Sequence, residues 1–167
     1  METRKIILAV TGASGSVYAR ETLSALTAEP SIGEIALIIS DNGRAVAEWE
    51  NVSPDSDDNR VKVYSNADMF APPASGSADY DAMVVVPCSM GSAGRISSGV
   101  SSDLIGRAAD VMLKDRRRLV LVVRETPLST IHLRNQSALS QCGAVILPAA
   151  PSFYSHPENI EHSVPYQ

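Results

Sequence analysis

Cysteine is scarce in this chain: Cys88 and Cys142 are the two thiols among 167 residues, with no CxxC pair and no dense spacing. A disulfide framework is not expected, and reduced thiols suit an intracellular chain. Long hydrophobic runs are missing too. No apolar stretch approaches the roughly 20 residues a bilayer-spanning helix needs, and residues 1–5 lead into a short apolar strand without a secretory core or cleavage site. The expected address is cytoplasmic, with no membrane partner. Charge of one sign is lacking as well: 14 Lys and Arg stand against 19 Asp and Glu, a net charge of −5 spread along the sequence. Nucleic acid is therefore not the expected partner. His132, His156 and His162 show no metal-ligand spacing, so no metal site is expected. No stretch has the length or composition of an interdomain linker, and residues 1–167 are expected to form one domain that buries about 70% of its unfolded surface.

What is present is a repeating alternation. Short apolar runs rich in Val and Ile occupy residues 6–10, 35–39, 61–64, 83–86, 119–123 and 144–147. They lack polar alternation, which suits strands covered on both faces of a parallel sheet. Between them lie helical patterns. The clearest spans 102–114, where Leu104, Ile105, Ala108, Ala109, Met112 and Leu113 share one face. A second carries Ala19, Leu23 and Leu26, and a third runs from 129 to about 141, before a plausible stop at Gly143. Segments 52–59 and 70–77 read as irregular. The sum predicts an α/β fold of three layers: a doubly wound, Rossmann- or flavodoxin-like, mainly parallel sheet of about six strands.

The turn after the first strand reads Thr11-Gly12-Ala13-Ser14-Gly15. Small residues there let backbone N–H groups and a helix N-terminus face a phosphate, with the Ser14 hydroxyl as a further donor, although glycines in such a turn also serve the turn itself. The second strand ends in Ser40-Asp41, where an acid could hold a dinucleotide ribose; yet the third glycine of GxGxxG is absent, and so is a Tyr-xxx-Lys pair. After the fourth strand comes Pro87-Cys88-Ser89-Met90-Gly91-Ser92, a second polar turn on the same rim. Two such turns suggest a phosphate and a ring bound across a switch point. No His lies near Cys88 in sequence to activate it, and a Cys ending a buried strand is usually packed.

Arg107 and Lys114 are two helical turns apart and share a side of their helix. Asp103 with Arg107, and Asp110 with Lys114, also have the spacing of a solvated i,i+4 ion-pair ladder. Arg116, Arg117 and Arg118 read as a solvated turn. The fifth strand ends Val123-Arg124-Glu125-Thr126-Pro127, placing a phosphate-binding fork and a candidate acid or base at the open edge of the sheet; a structural Arg–Glu pair is the alternative.

In order and spacing these segments resemble the UbiX family of flavin prenyltransferases. The resemblance rests on Thr11 to Gly15, Ile39-Ser40, Ala71 to Ser77, Pro87 to Ser89, Arg107 to Asp110 with Leu113-Lys114, Val123 to Pro127, Ile131 to Leu133, Gly143 to Pro148 and Phe153-Tyr154. It implies transfer of a dimethylallyl group from dimethylallyl phosphate to N5 and C6 of reduced FMN, with the product passed to a UbiD-type decarboxylase. FMN would be held by Gly12, Ala13, Ser14, Ser40, Ser89, Met90, Gly91, Ser92 and Arg124. Arg107, Lys114, Arg124, Glu125 and Tyr154 would face the dimethylallyl phosphate, and Glu50 falls where the family places a carboxylate near the flavin. The implied catalytic set is Ser14, Glu50, Lys114 and Glu125. Breaking an allylic C–O bond releases phosphate and a delocalised cation, so Lys114 would supply charge, Glu125 a proton, and Glu50 or Ser14 a relay for the proton lost from C6. No metal is needed for this chemistry. The resemblance also implies a large homo-oligomer, a dodecamer, with sites at subunit junctions.

Two departures stand out. The stretch between Glu50 and Phe70 is shorter than in many relatives, and the sequence stops at Gln167 where relatives continue into a helix with a phosphate-binding Arg. Two other readings share the fold: an FMN-binding protein without turnover, and a flavin-dependent cysteine decarboxylase. The latter family carries a His after the second strand and a Pro-Ala-Ser-Ala-Asn-Thr loop, whereas this chain has Pro73-Ala74-Ser75-Gly76-Ser77 and no His before 132.

Overall fold

A computed structural model describes residues 3–152 together with 154, 156 and 158. Six strands form one sheet: β1 (Arg4–Val10), β2 (Ile32–Ile39), β3 (Val61–Ser65), β4 (Ala82–Cys88), β5 (Arg118–Val123) and β6 (Val145–Pro148). All pairings are parallel, in the order β3-β2-β1-β4-β5-β6. The helices are α1 (Ser16–Ala28), α2 (Asp41–Trp49), α3 (Met90–Ser97), α4 (Leu104–Lys114) and α5 (Thr130–Gln141), with two short 3-10 turns at 72–74 and 76–78. Each apolar run expected as a strand is one, and the doubly wound α/β architecture follows.

Alternate residues of each strand enter opposite cores, because successive side chains of a strand point to opposite faces. Leu8, Val10, Leu37 and Ile39 pack with Tyr18, Ala19 and Leu23 of α1. On the other face Ile7, Ala9, Val85 and Leu121 pack with Ile96 of α3, Leu104, Ala108 and Met112 of α4, and Leu139 of α5. Leu8, Leu37 and Leu121 are fully buried; burying one such side chain contributes about 1.5–3 kcal/mol, and Leu8→Ala would cost about 2–5 kcal/mol. This three-layer core holds the carboxyl ends of β1, β2 and β4 on one rim.

Two local expectations need correction. The i,i+4 ladder on α4 does not form: Asp103 has extended backbone and its carboxylate accepts from Gly106 N at 2.8 Å as the helix cap. Arg107 instead pairs with Asp110 at 2.9 Å, and Lys114 with Asp115 at 2.5 Å. Arg117 is a structural tie rather than part of a solvated turn; it donates to the Tyr80 carbonyl at 2.7 Å, the Gly76 carbonyl at 3.3 Å and Asp79 at 2.8 Å. Gly143, just past α5, has φ +99°, the left-handed conformation a helix stop favours.

Candidate active site

The strand order reverses between β1 and β4, and in open parallel sheets ligands bind outside the carboxyl ends of the strands at that point. Thr11, 2% exposed, joins the two turns there. Its hydroxyl donates to the Pro87 carbonyl at 2.8 Å and accepts from Ser89 N at 2.8 Å. α2 crosses close above the first turn: a Cβ on Gly12 would stand 2.5 Å from Asn42 Cβ, so only glycine fits. Gly15, with φ +112°, turns the chain into α1.

Glu50, at the end of α2, closes the other side. Its carboxylate accepts from Gly15 N at 2.9 Å and Ser16 N at 2.7 Å, satisfying amide donors that the start of α1 would otherwise leave unpaired. Burial pushes the Glu50 carboxyl upward, but the Ser16 and Gly15 amides with the Ser14 and Ser16 hydroxyls outweigh it and hold it below its ordinary value. Glu50 is therefore an ionised acceptor in contact with Ser14. Ser40 and Ser89 cap α2 and α3, accepting from Gly43 N at 3.0 Å and Ser92 N at 3.2 Å. Asn66 accepts from Ile105 N at 3.0 Å and fixes the start of α4.

These turns enclose a cleft with two halves that share Gly12 and Asn42. One, about 470 Å³, is polar and lined by Ser40, Asn66, Ser89, Ser92 and Arg95. The other, about 540 Å³, is lined by Ser14, Ala45, Val46, Trp49 and Glu50, and its Trp49 ring is 88% exposed. A phosphate tail suits the first and a flat apolar ring the second, so the residues present fit FMN. A separate hollow of about 450 Å³ lies against the other side of α2, between Arg44 and the 51–55 segment, and contains none of the expected site residues.

Gly12, Ser14, Ser40, Glu50, Ser89, Gly91 and Ser92 are brought together on this cleft, and Ala13 lies in the same turn. Met90 follows Ser89, but its side chain is buried and its sulfur accepts from Gln136. Arg124 and Glu125 follow β5 on the same rim, exposed, with Arg124 N bonded to the Cys88 carbonyl at 3.3 Å. Tyr154 is 98% exposed. Arg107 and Lys114 do not line this cleft. Arg107 reaches the Ala74 carbonyl, and Lys114 sits beside Gly76, on the segment that leads into the amino end of β4. β5 starts four residues after Lys114 and runs five steps of about 3.3 Å before Glu125 follows, so the two lie roughly 17 Å apart along the strand direction.

Cys88 is fully buried, and burial pushes its thiol up to about 12, which leaves it no nucleophilic role. The sequence pattern alone missed Asn42, Trp49, Asn66 and Arg95. For Asn42 the signal was the Ser40 helix cap, which places it in the first turn of α2; the other three carry no motif.

The Flavoprotein family model matches residues 1–161. The flavin prenyltransferase UbiX of Methanocaldococcus jannaschii is 41% identical over 162 residues, covering 93% of this chain and 84% of that protein. The crystal structure of AnUbiX in complex with FMN and dimethylallyl pyrophosphate superposes with a TM-score of 0.88 at 41% identity, covering 99% of this chain and 88% of that one. A dodecameric FMN-dependent UbiX-like decarboxylase from Escherichia coli O157:H7 does so at 0.88 and 41%, covering 96% and 87%. The cysteine decarboxylase TvaF, at 17% identity and a TM-score of 0.68, shares the fold alone. With a family model spanning most of its length and relatives about 40% identical over more than nine-tenths of it, this chain belongs to the Flavoprotein family and, within it, to the UbiX flavin prenyltransferases.

Proposed function

We propose that the protein is a metal-independent flavin prenyltransferase that joins the dimethylallyl group of dimethylallyl phosphate to N5 and C6 of reduced FMN. The observation that carries this reading is the two-part cleft at the β1/β4 switch point, hydroxyl-rich at one end and lined by Ser14, Trp49 and Glu50 at the other, in a chain 41% identical to a UbiX protein solved with FMN and dimethylallyl pyrophosphate.

Reduced flavin supplies the two nucleophilic positions. The protein's residues manage charge and protons around them. Ser40, Ser89 and Ser92 offer hydroxyls to the flavin's tail, and Gly12 lets α2 close over it. When the allylic C–O bond breaks, its electron pair leaves with phosphate; Arg124 and Lys114 neutralise that charge and Glu125 protonates the departing oxygen. Ser14 and the ionised Glu50 relay the proton displaced from the ring carbon to the allylic double bond, which is consumed as the second bond forms, a role their contact suits.

Lys114, roughly 17 Å from Glu125 along the strand direction, lies too far from it to serve the same site within one chain, and Arg107 shares the α4 helix with it. We assign them to the neighbouring site of a homo-oligomer, whose assembly would cover the exposed Phe70, Val63 and Ile131 (100%, 64% and 66% exposed). Tyr154 would close the same junction. The product's recipient in this reading is a UbiD-type decarboxylase, and the address is cytoplasmic; among the described residues no helix is long and apolar enough to cross a membrane.

The test is turnover of reduced FMN with dimethylallyl phosphate, followed by the rate of flavin conversion. Lys114→Ala and Glu125→Gln each lower that rate by about a hundredfold or more while FMN affinity changes little. Wild-type rates in both variants would remove these residues from the reaction.

A further inference from the structure

We propose that Arg95, which lies outside every stretch carrying the family resemblance, is the cation that holds the phosphate of FMN in this protein and sets its preference for FMN over riboflavin. The inference rests on the flavin reading and adds to it a residue and a selectivity.

Arg95 is on α3, one turn beyond Ser92, and its Nη2 donates to Ser92 Oγ at 3.2 Å. Ser92 is 4% exposed and accepts in turn from the Ser89 hydroxyl at 3.0 Å. This chain of contacts aims the guanidinium into the polar half of the cleft and uses one of its five N–H donors. Among the described residues no carboxylate lies within ion-pair distance of Arg95. The remaining N–H groups are available to a planar array of oxygens, the geometry a phosphate monoester presents.

The charges around the cleft make that role necessary. Asp41 and Asp103 line the polar half, and among the described residues Arg95 is the one cation that lines it. Three helices begin there, but their first turns are already occupied: Ser40 takes the Gly43 amide, Ser89 the Ser92 amide, and Asp103 the Gly106 amide. Without Arg95 a phosphate dianion would enter a groove with two carboxylates and partly spent helix dipoles. An uncharged ribityl chain would meet no such penalty. The hydroxyls of Ser40 and Ser89 and the amide of Asn42 bond FMN and riboflavin alike, so discrimination between them falls to the guanidinium.

The experiment is a flavin-fluorescence titration of the wild-type protein, Arg95→Ala and Arg95→Lys with FMN and with riboflavin, and a 31P spectrum of bound FMN. Arg95→Ala is expected to weaken FMN about tenfold or more, since a hydrogen-bonded charge is lost, and to leave riboflavin within about twofold. Arg95→Lys recovers part of the FMN affinity, and the 31P resonance moves in Arg95→Ala. Equal weakening of both flavins would make Arg95 a structural residue, and unchanged FMN affinity with an unmoved 31P signal would place the phosphate elsewhere; either overturns the proposal. Wild-type protein that takes up neither flavin would overturn the flavin reading itself.

Discussion

Lys114 and Glu125 are eleven residues apart in sequence, yet β5 stands between them. Lys114 closes α4 at the amino edge of the sheet, while Glu125 follows the strand at its carboxyl rim, roughly 17 Å away along the strand, farther than a lysine side chain spans. If both act on one dimethylallyl phosphate, they come from different subunits. The perturbation is therefore a mixture. Lys114→Ala and Glu125→Gln subunits, each inactive as a homo-oligomer, are co-expressed with separate tags and purified as mixed particles. In a 1:1 assembly a given junction draws its Lys114 from a Glu125→Gln chain half the time and its Glu125 from a Lys114→Ala chain half the time. About a quarter of the sites are then wholly native, and activity should return to about a quarter of the wild-type value. A double Lys114→Ala, Glu125→Gln chain mixed with inactive Glu125→Gln chains recovers nothing. Conversion of FMN is followed by chromatography of the extracted flavin. Mixed particles no more active than their parents would refute the shared site.

Three further outcomes follow from the geometry. Glu50→Gln removes a carboxylate whose folded value lies below the ordinary 4.5, so its contribution is present above about pH 4.5 and is lost as pH falls through the folded value. Thermal melts should show a deficit of about 1 kcal/mol at neutral pH that shrinks in acid, and a constant deficit would contradict the helix-cap role. Cys88→Ala should keep full turnover while costing about 1 kcal/mol of stability, measured by urea unfolding, because the thiol is a buried core group; loss of turnover in folded protein would restore a chemical role to it. Trp49 is the one tryptophan of the chain, so its emission reports on the apolar half of the cleft directly. FMN should quench it, and Trp49→Ala should weaken FMN about three- to tenfold; unchanged affinity would place the ring elsewhere.

The strands were legible because β1, β2, β4 and β5 are uninterrupted Val-, Ile- and Leu-rich runs, and only a sheet covered on both faces buries such runs. α2 and α3 were not. The first reads Asp-Asn-Gly-Arg-Ala-Val-Ala-Glu-Trp and the second Met-Gly-Ser-Ala-Gly-Arg-Ile-Ser, short segments in which glycine, serine and asparagine dilute the apolar face. Their caps, Ser40 and Ser89, were visible but read only as ligand groups. Both roles hold together, since a helix that starts at the rim presents its first turn to the cleft. Arg95 was hidden for the same reason: its reach into the groove exists only once α3 is formed and Ser92 is buried. The distance between Lys114 and Glu125 could not be seen in their spacing, because a strand converts a short stretch of sequence into the full height of the sheet.

The most direct measurement is the mass of the flavin released from wild-type protein after incubation with reduced FMN and dimethylallyl phosphate. FMN heavier by one C5 unit is the expected product. Unmodified FMN, recovered from folded and fully loaded protein, would contradict it.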